Sequence, residues 1–424
     1  MPGLNQLAQL IKQIEDQMTD CMKCGMCQAV CPVFTETGDE GDVARGKIFL
    51  LERLSDRMIE DASGVKKRLD KCLLCGSCAA SCPSGVRILE IFVKARAALT
   101  QYEGLSAVKK LIFRGMLKHP ARLNMLTDLA AMFQWLGTCR ANTHFGTCRA
   151  PMLKGMIGGR HFKPISKKPL HKTTPSLDTP AGKSGVKVAF FPGCVVDKMN
   201  PEIGSAALKV FEHHGVGVFM PSNQACCGIP ALASGDQPTF EDLLVHNIER
   251  FANQEFDYLI TPCATCTATL KELWPMLADE RSEAAVMNLA GKVMDISQFL
   301  VDVLGVKADD TKTGTKVTYH SPCHLGKSLE VTAQPRTLLA AGAEFVEMEE
   351  AEYCCGNGGS FNLQHYELST RIGERKRKNI LDSGADVVAT SCPACMMQMT
   401  DLLSRNQDKV RVKHVVELYA EALD

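Results

Sequence analysis

The cysteines predict an α+β protein overall: a small helical amino-terminal domain followed by a duplicated α/β pair. Two repeats and one pattern carry this reading. The short repeat is "CMKCGMCQAVCP" at 21–32 and "CLLCGSCAASCP" at 72–83, both C-x2-C-x2-C-x3-C-P. The long repeat sets Cys194, Cys226, Cys227, Cys263 and Cys266 against Cys323, Cys354, Cys355, Cys392 and Cys395, at offsets of 128 or 129 residues. Such agreement marks a duplicated domain. The pattern is a set of β-rich runs ending at cysteine ("KVAFFPGC", "DYLITPC", "VTYHSPC", "DVVATSC") with helical stretches between them. Strands alternating with helices imply a parallel sheet.

In chain order, the expected domains are 1–148 (helical), 149–187 (a basic linker), 188–310 (first repeat) and 311–424 (second repeat). Leu4, Leu7, Ile11, Ile14 and Met18 recur every three or four residues, an apolar stripe for burial. After the second short repeat, "GLSAVKKLIFRGMLKH" puts Leu105, Val108, Ile112 and Met116 on one helical face, with Lys109, Lys110, Arg114 and Lys118 elsewhere. Packing on its own domain is the plainer use of such a helix, and a membrane or partner surface the other. Pro120 ends it. The segment 149–187 is rich in Pro, Gly and Lys without an apolar period, and reads as a solvated tether. "HH" at 213–214 closes a helix before Gly215.

Lys+Arg and Asp+Glu both total 48, which gives nucleic acid no electrostatic hold, so none is expected as partner. The chain opens without a basic-then-apolar leader and holds no membrane-length apolar run. A cytoplasmic protein is expected, with peripheral contact on the inner face of the cell membrane left open. Twenty cysteines in a long chain with CxxC spacing favour metal over disulfides.

The short repeat resembles the bacterial ferredoxin signature, so the first domain is expected to be ferredoxin-like with two clusters. In that signature three close cysteines hold one 4Fe–4S cube and the fourth, before proline, reaches to the other. The resemblance implies Cys21, Cys24, Cys27 and Cys82 on one cubane and Cys72, Cys75, Cys78 and Cys31 on the other. Gly25 and Gly76 leave the backbone free to bend, and Pro32 and Pro83 turn the chain away. A pair of zinc sites is the competing reading of soft thiolates.

Each long repeat offers five thiols, one more than a cube has irons. Adjacent cysteines, at 226–227 and 354–355, suit one terminal and one bridging sulfur, which permits one or two further 4Fe–4S clusters of non-cubane shape. A cubane with a spare thiol is the alternative. Gly228 and Gly356 after each pair are expected to let the chain clear the cluster, and "GNGG" at 356–359 to loosen the second loop. His320 and His324 flank Cys323 and are expected to hydrogen-bond nearby rather than ligate. Cys139 and Cys148 stand apart, and are expected to be buried small residues.

The paired C-x(~31)-CCG-x(~35)-CxxC pattern resembles the CCG domain of heterodisulfide reductase. The whole order, two ferredoxin-type motifs then two CCG domains, is similar to the iron–sulfur subunits of glycolate oxidase and respiratory lactate dehydrogenases. The stretch 37–54 adds to this: Gly38, Asp39, Glu40, Arg45, Gly46 and Ile48 fit the glycolate oxidase pattern, while Ala44 and Lys47 depart from it. The resemblance implies an electron-transfer subunit that works with an FAD-binding dehydrogenase subunit and delivers to a quinone, a cytochrome or another carrier. The absence of GxGxxG after a strand agrees with a flavin held elsewhere. The alternative is a disulfide reductase working at the CCG sites, and a structural zinc protein is the third class.

Overall fold

A computed structural model describes residues 3–308 and 314–423; the expected boundary between the repeats, at 310/311, lies outside them. Helices joined by loops make up residues 4–133, and the long helix Ile88–Glu103 buries Ile91, Phe92, Ala95 and Leu99. The apolar stripe at the start is packed as its period requires, with Leu7, Ile11, Ile14 and Met18 all buried. The chain turns after Lys12 and resumes as a second short helix, Glu15–Thr19.

A hairpin follows, with β1 (Cys139–Asn142) antiparallel to β2 (Thr147–Arg149). Next come β3 (Leu177–Asp178), β4 (Lys187–Phe190), β5 (Gly217–Met220), β6 (Tyr258–Thr261) and β7 (Val293–Asp295). They form one sheet ordered β3-β5-β4-β6-β7, parallel except for β3. The second repeat supplies β8 (Lys316–Tyr319), β9 (Glu344–Phe345), β10 (Val387–Thr390) and β11 (Arg411–His414), all parallel, in the order β9-β8-β10-β11. With β3 set aside, the two orders are the same, so duplication of sequence is duplication of fold. The four expected strands are β4, β6, β8 and β10. Helices cover both faces, which is why these runs are apolar throughout rather than alternating.

The parts are not separate globules. One core joins Leu7, Phe92 and Leu99 of the amino-terminal helices to Leu232, Leu243 and Trp274 of the first repeat. A second runs through both repeats, from Val188 and Phe211 to Tyr319, Val387 and Val415. Arg96, buried, donates to the carbonyls of Leu69 (2.5 Å), Cys72 (2.7 Å) and Ala233 (2.8 Å), tying the second cysteine loop to the first repeat.

Two expectations need correction. The segment 149–187 is a strap rather than a solvated tether: Phe162 bridges Cys148, Leu170 is buried, and β3 extends the first sheet. The helix at 105–118 buries Leu105, Phe113 and Leu117, whereas Val108 and Ile112 face outward. The face chosen from the sequence is therefore not the one that packs: the helix offers two, and the one carrying Phe113 and Leu117 meets the rest of the fold. No helix among the described residues is long and apolar enough to cross a membrane.

Candidate metal centres

The two short repeats interlock. Cys21, Cys24, Cys27, Cys78 and Cys82 border one small cavity. Cys31, Cys72, Cys75 and Cys78 border the next. Each cavity thus takes a cysteine from the other loop, Cys82 in the first and Cys31 in the second, and Cys78 lies between them. Each loop runs into a short helix that follows a left-handed glycine, Gly25 or Gly76, and in the second loop the Leu74 N–H donates to the Cys72 sulfur at 3.4 Å. Cys31 itself caps the helix Pro32–Thr37 and accepts from the Phe34 N–H at 3.5 Å.

The stretch 38–47 braces these loops. Arg45 donates to the Lys23 carbonyl at 3.0 Å and pairs with Glu40. Asp42, buried, receives Arg68 at 3.0 Å and Lys71 at 3.2 Å. Lys47 is fully buried on the Asp42 carbonyl and faces the charges of Cys72 and Cys31, while burial pulls its pKa down. The lysine that departs from the family pattern thus still places a cation beside the second loop. Burial in turn pushes the Cys31 thiol up to about 11.

In each long repeat three elements converge. The first cysteine follows β4 or β8, the CxxC pair follows β6 or β10, and the adjacent pair lies in the loop before Ile229–Ala233 or Phe361–Gln364. Ligands gather at the carboxyl ends of parallel strands for this topological reason. Cys263 and Cys392 each cap a helix, and the Ala264 N–H donates to the Ser391 carbonyl at 2.9 Å, joining the two CxxC loops. Cys194 and Cys226 have their sulfurs 3.5 Å apart. The Cys227 carbonyl accepts from the buried Trp274 indole at 3.0 Å.

Gly228 and Gly356 are left-handed, with φ of 96° and 91°. A Cβ there would meet Phe240 at 2.6 Å or the Ser369 carbonyl at 2.6 Å. Their reason is the turn and the helix behind it, and the space they leave is filled by protein. Gly358 likewise does not loosen its loop: it lets Leu73 of the second amino-terminal loop pack against it, 2.4 Å from where a Cβ would stand.

A chamber of about 370 Å³ lies between the repeats, bordered by all ten of their cysteines and by Cys75. Sulfur follows sulfur along it. Cys75 meets Cys323 and Cys354; Cys355 meets Cys354 and Cys395; Cys392 meets Cys395 and Cys263; Cys266 meets Cys263 and Cys227; and Cys226 meets Cys227 and Cys194. Hydrogen bonds from Cys226 and Cys354 hold Cys227 and Cys355 well below a thiol's ordinary value, and push the donors Cys226 and Cys354 well above it. So many buried sulfurs cannot all ionise without a polycationic centre among them. Soft, crowded, buried thiolates fit iron–sulfur clusters.

The two long repeats differ beside their sulfurs. His320, buried, has its ring nitrogen within 4.8 Å of the Cys355 and Cys395 sulfurs. Phe191 holds the matching place three residues before Cys194. Lys376 is buried on the carbonyls of Glu350 and Ala351, its pKa lowered by burial to about 8. Asn247, at the equivalent position sixteen residues before CxxC, instead bonds the Ala225 N–H and Cys226 carbonyl. Lys327 adds a second cation, raised because the charges of Cys323, Cys75 and Cys354 outweigh its burial. The sequence points to His320 as a neighbour that hydrogen-bonds rather than ligates, but gives no sign of Lys376 and Lys327, because helical periodicity does not distinguish a lysine turned inward. His324 meets the Thr265 hydroxyl at 3.3 Å rather than a sulfur. Cys139 and Cys148 lie on β1 and β2, half-buried rather than buried, outside every cysteine group described above.

Fold and sites together define a multi-cluster iron–sulfur protein. Residues 17–86 match the 4Fe-4S dicluster domain family, and 188–271 and 317–400 each match the cysteine-rich domain family. The chain belongs to the glycolate oxidase iron–sulfur subunit family. It is 33% identical over 422 residues to the probable glycolate oxidase iron-sulfur subunit of Bacillus subtilis (strain 168), covering 96% of this chain and 94% of that one. It is 30% identical to one subunit of the fumarate reductase (CoM/CoB) of Methanothermobacter marburgensis, over 95% of this chain and 72% of the relative. Lactate utilization protein A of Shouchella clausii (strain KSM-K16) is 34% identical, over 55% of this chain and 98% of its own. A hypothetical protein from Helicobacter pylori shares the fold, with a TM-score of 0.53 at 9% identity over 98% of this chain and 76% of that one. Electron transfer is the role this class of subunit serves.

Proposed function

We propose that the chain is the electron-transfer subunit of a 2-hydroxyacid (glycolate or lactate) dehydrogenase complex. It takes electrons from an FAD-containing partner and passes them to a quinone, a cytochrome or another respiratory acceptor at the inner face of the cell membrane. Cys21, Cys24, Cys27 and Cys82 hold one 4Fe–4S cubane, and Cys31, Cys72, Cys75 and Cys78 the other. Cys194, Cys226, Cys227, Cys263 and Cys266, and Cys323, Cys354, Cys355, Cys392 and Cys395, hold two more, with the adjacent pairs giving a non-cubane shape.

The observation that carries this is the unbroken row of sulfur contacts from Cys75 to Cys194. Bound clusters supply one-electron carriers at short spacing. The residues of the chain set their surroundings: Arg96 and Leu73 fix the second loop against the repeats, while Lys47, Lys327 and Lys376 offset sulfide charge in a dry interior.

Anaerobic stopped-flow absorbance tests it. The hydroxy acid alone leaves the clusters oxidised, the acid with the co-purified flavoprotein bleaches them, and a short-chain quinone restores the colour. Bleaching by the acid without the flavoprotein, or none with it, contradicts the proposal. One observation favours a second reading: the two five-thiol sets face a common chamber, with room for a disulfide between them. Turnover of a disulfide with an artificial reductant supports that reading.

A further inference from the structure

The hairpin formed by residues 107–117 and Pro120–Phe133, with the turn Gln134–Leu136, packs its first helix through Phe113 and Leu117 but inverts the usual pattern on its second. The uncharged and acidic polar side chains of that second helix and turn reach into the protein. Asn124 accepts from Lys198 at 2.7 Å, Asp128 pairs with Lys172 at 2.9 Å, and Gln134 exchanges two 2.9 Å bonds with the backbone of Ile165. A row of apolar side chains on the second helix and turn faces out. Met125, Leu129, Met132 and Leu136 follow one another at helical spacing, and are 56%, 46%, 60% and 65% exposed; Leu111 and Trp135 are 66% and 67% exposed. A surface helix in water shows the opposite arrangement. A stable fold that directs its polar groups inward and keeps such a stripe open points to an apolar medium outside.

Charge identifies that medium. Residues 104–137 contain five Lys or Arg and one carboxylate, Asp128, which is turned inward and paired. Arg114 and Lys118 anchor the hairpin to Asp236 and Asp242, at 2.9 and 2.6 Å. Lys110 and Arg122 are exposed and have no ion-pair partner among the described residues. An apolar face flanked by the unpaired cations Lys110 and Arg122 complements an anionic bilayer. Length decides the geometry. At about 1.5 Å per residue the two helices reach roughly 16 and 21 Å, short of the ~30 Å hydrocarbon core, so they lie in the surface plane.

We infer that this hairpin is a monotopic anchor seating the subunit on anionic phospholipid, with Trp135 and Leu136 entering the acyl boundary. The inference deepens the membrane contact in the function proposed above. It also gives that contact a place: Phe113, on the inner side of the hairpin, borders the chamber between the repeats.

Flotation of the cluster-loaded full chain with phosphatidylglycerol–phosphatidylcholine vesicles tests it. Binding is expected, weakened at least tenfold on pure phosphatidylcholine or in high salt. Leu129→Glu with Met132→Glu is expected to reduce it at least tenfold while visible spectrum and melting temperature stay unchanged. Trp135 offers a direct readout, because the second tryptophan, Trp274, is buried: brominated lipids should quench the accessible fraction of emission, and Trp135→Phe should abolish that quenching. Absence of vesicle binding, or equal binding by the double variant, overturns the inference. So does a dimer that the double variant dissociates, or protection of Trp135 by the flavoprotein in place of lipid. Reduction of a soluble acceptor by the double variant tests the electron-transfer reading separately.

Discussion

His320 stands where the first repeat has Phe191, against the sulfurs of Cys355 and Cys395. Donation from a buried ring to a cluster sulfur raises a reduction potential. His320→Phe is therefore expected to lower the potential of one cluster by tens of millivolts and leave the others in place, read by redox titration with EPR. Equal shifts in all clusters, or none, remove its tuning role. Glu417 caps the carboxyl-terminal helix by accepting from the His414 N–H at 2.8 Å, and burial pushes its pKa up to about 7. A carboxyl raised on folding takes up a proton, so its contribution is complete below about pH 4.5 and is lost as the pH rises through about 7. His414, lowered by burial to about 4, works in the other direction, losing stability as the pH falls. Glu417→Gln keeps the cap acceptor and isolates the first effect. Its stability should gain on the parent by up to about 3 kcal/mol as the pH rises through that window, measured by thermal unfolding. A constant difference excludes it.

At the scale of elements, the amino-terminal helices and the two α/β repeats were largely legible. Periodicity placed β4, β6, β8 and β10, and cysteine spacing brought the two short repeats together around neighbouring cavities. What escaped has a physical reason in each case. The strap at 149–187 owes its order to distant partners, such as the pairing of β3 with β5 and the burial of Leu170, which local composition does not encode. The helix at 105–118 offers two apolar faces, and the one carrying Phe113 and Leu117 meets the rest of the fold, a choice made by distant partners that local periodicity does not encode. Gly358 looked like looseness and is a close contact with Leu73. Arg96 left no sequence signal, since a buried arginine held by three carbonyls resembles any helical arginine until the fold closes. Arg96→Ala orphans those carbonyls inside the junction between domains, and is expected to cost about 3 kcal/mol. Arg96→Lys, with one ammonium for three acceptors, should recover only part of it. Chemical denaturation of the loaded protein measures both, and a wild-type midpoint for Arg96→Ala would show the junction to be held by apolar packing alone.

Across the molecule, two apolar cores bind three domains into one body, and the sulfurs run through its interior. The crossed loops at one end meet the second repeat through Cys75, and the CxxC loops carry the row into the first repeat. This order makes the second repeat, with its His320, Lys327 and Lys376, the first stop beyond the amino-terminal loops. Metal analysis joined to EPR of anaerobically isolated protein is the most direct test. About sixteen irons per chain, with matching sulfide and four reducible signals, are expected if each group of thiols holds a four-iron cluster. Zinc in place of iron, or about eight irons with the ten thiols of the repeats left free to alkylate, would contradict a sulfur row that conducts from one end to the other.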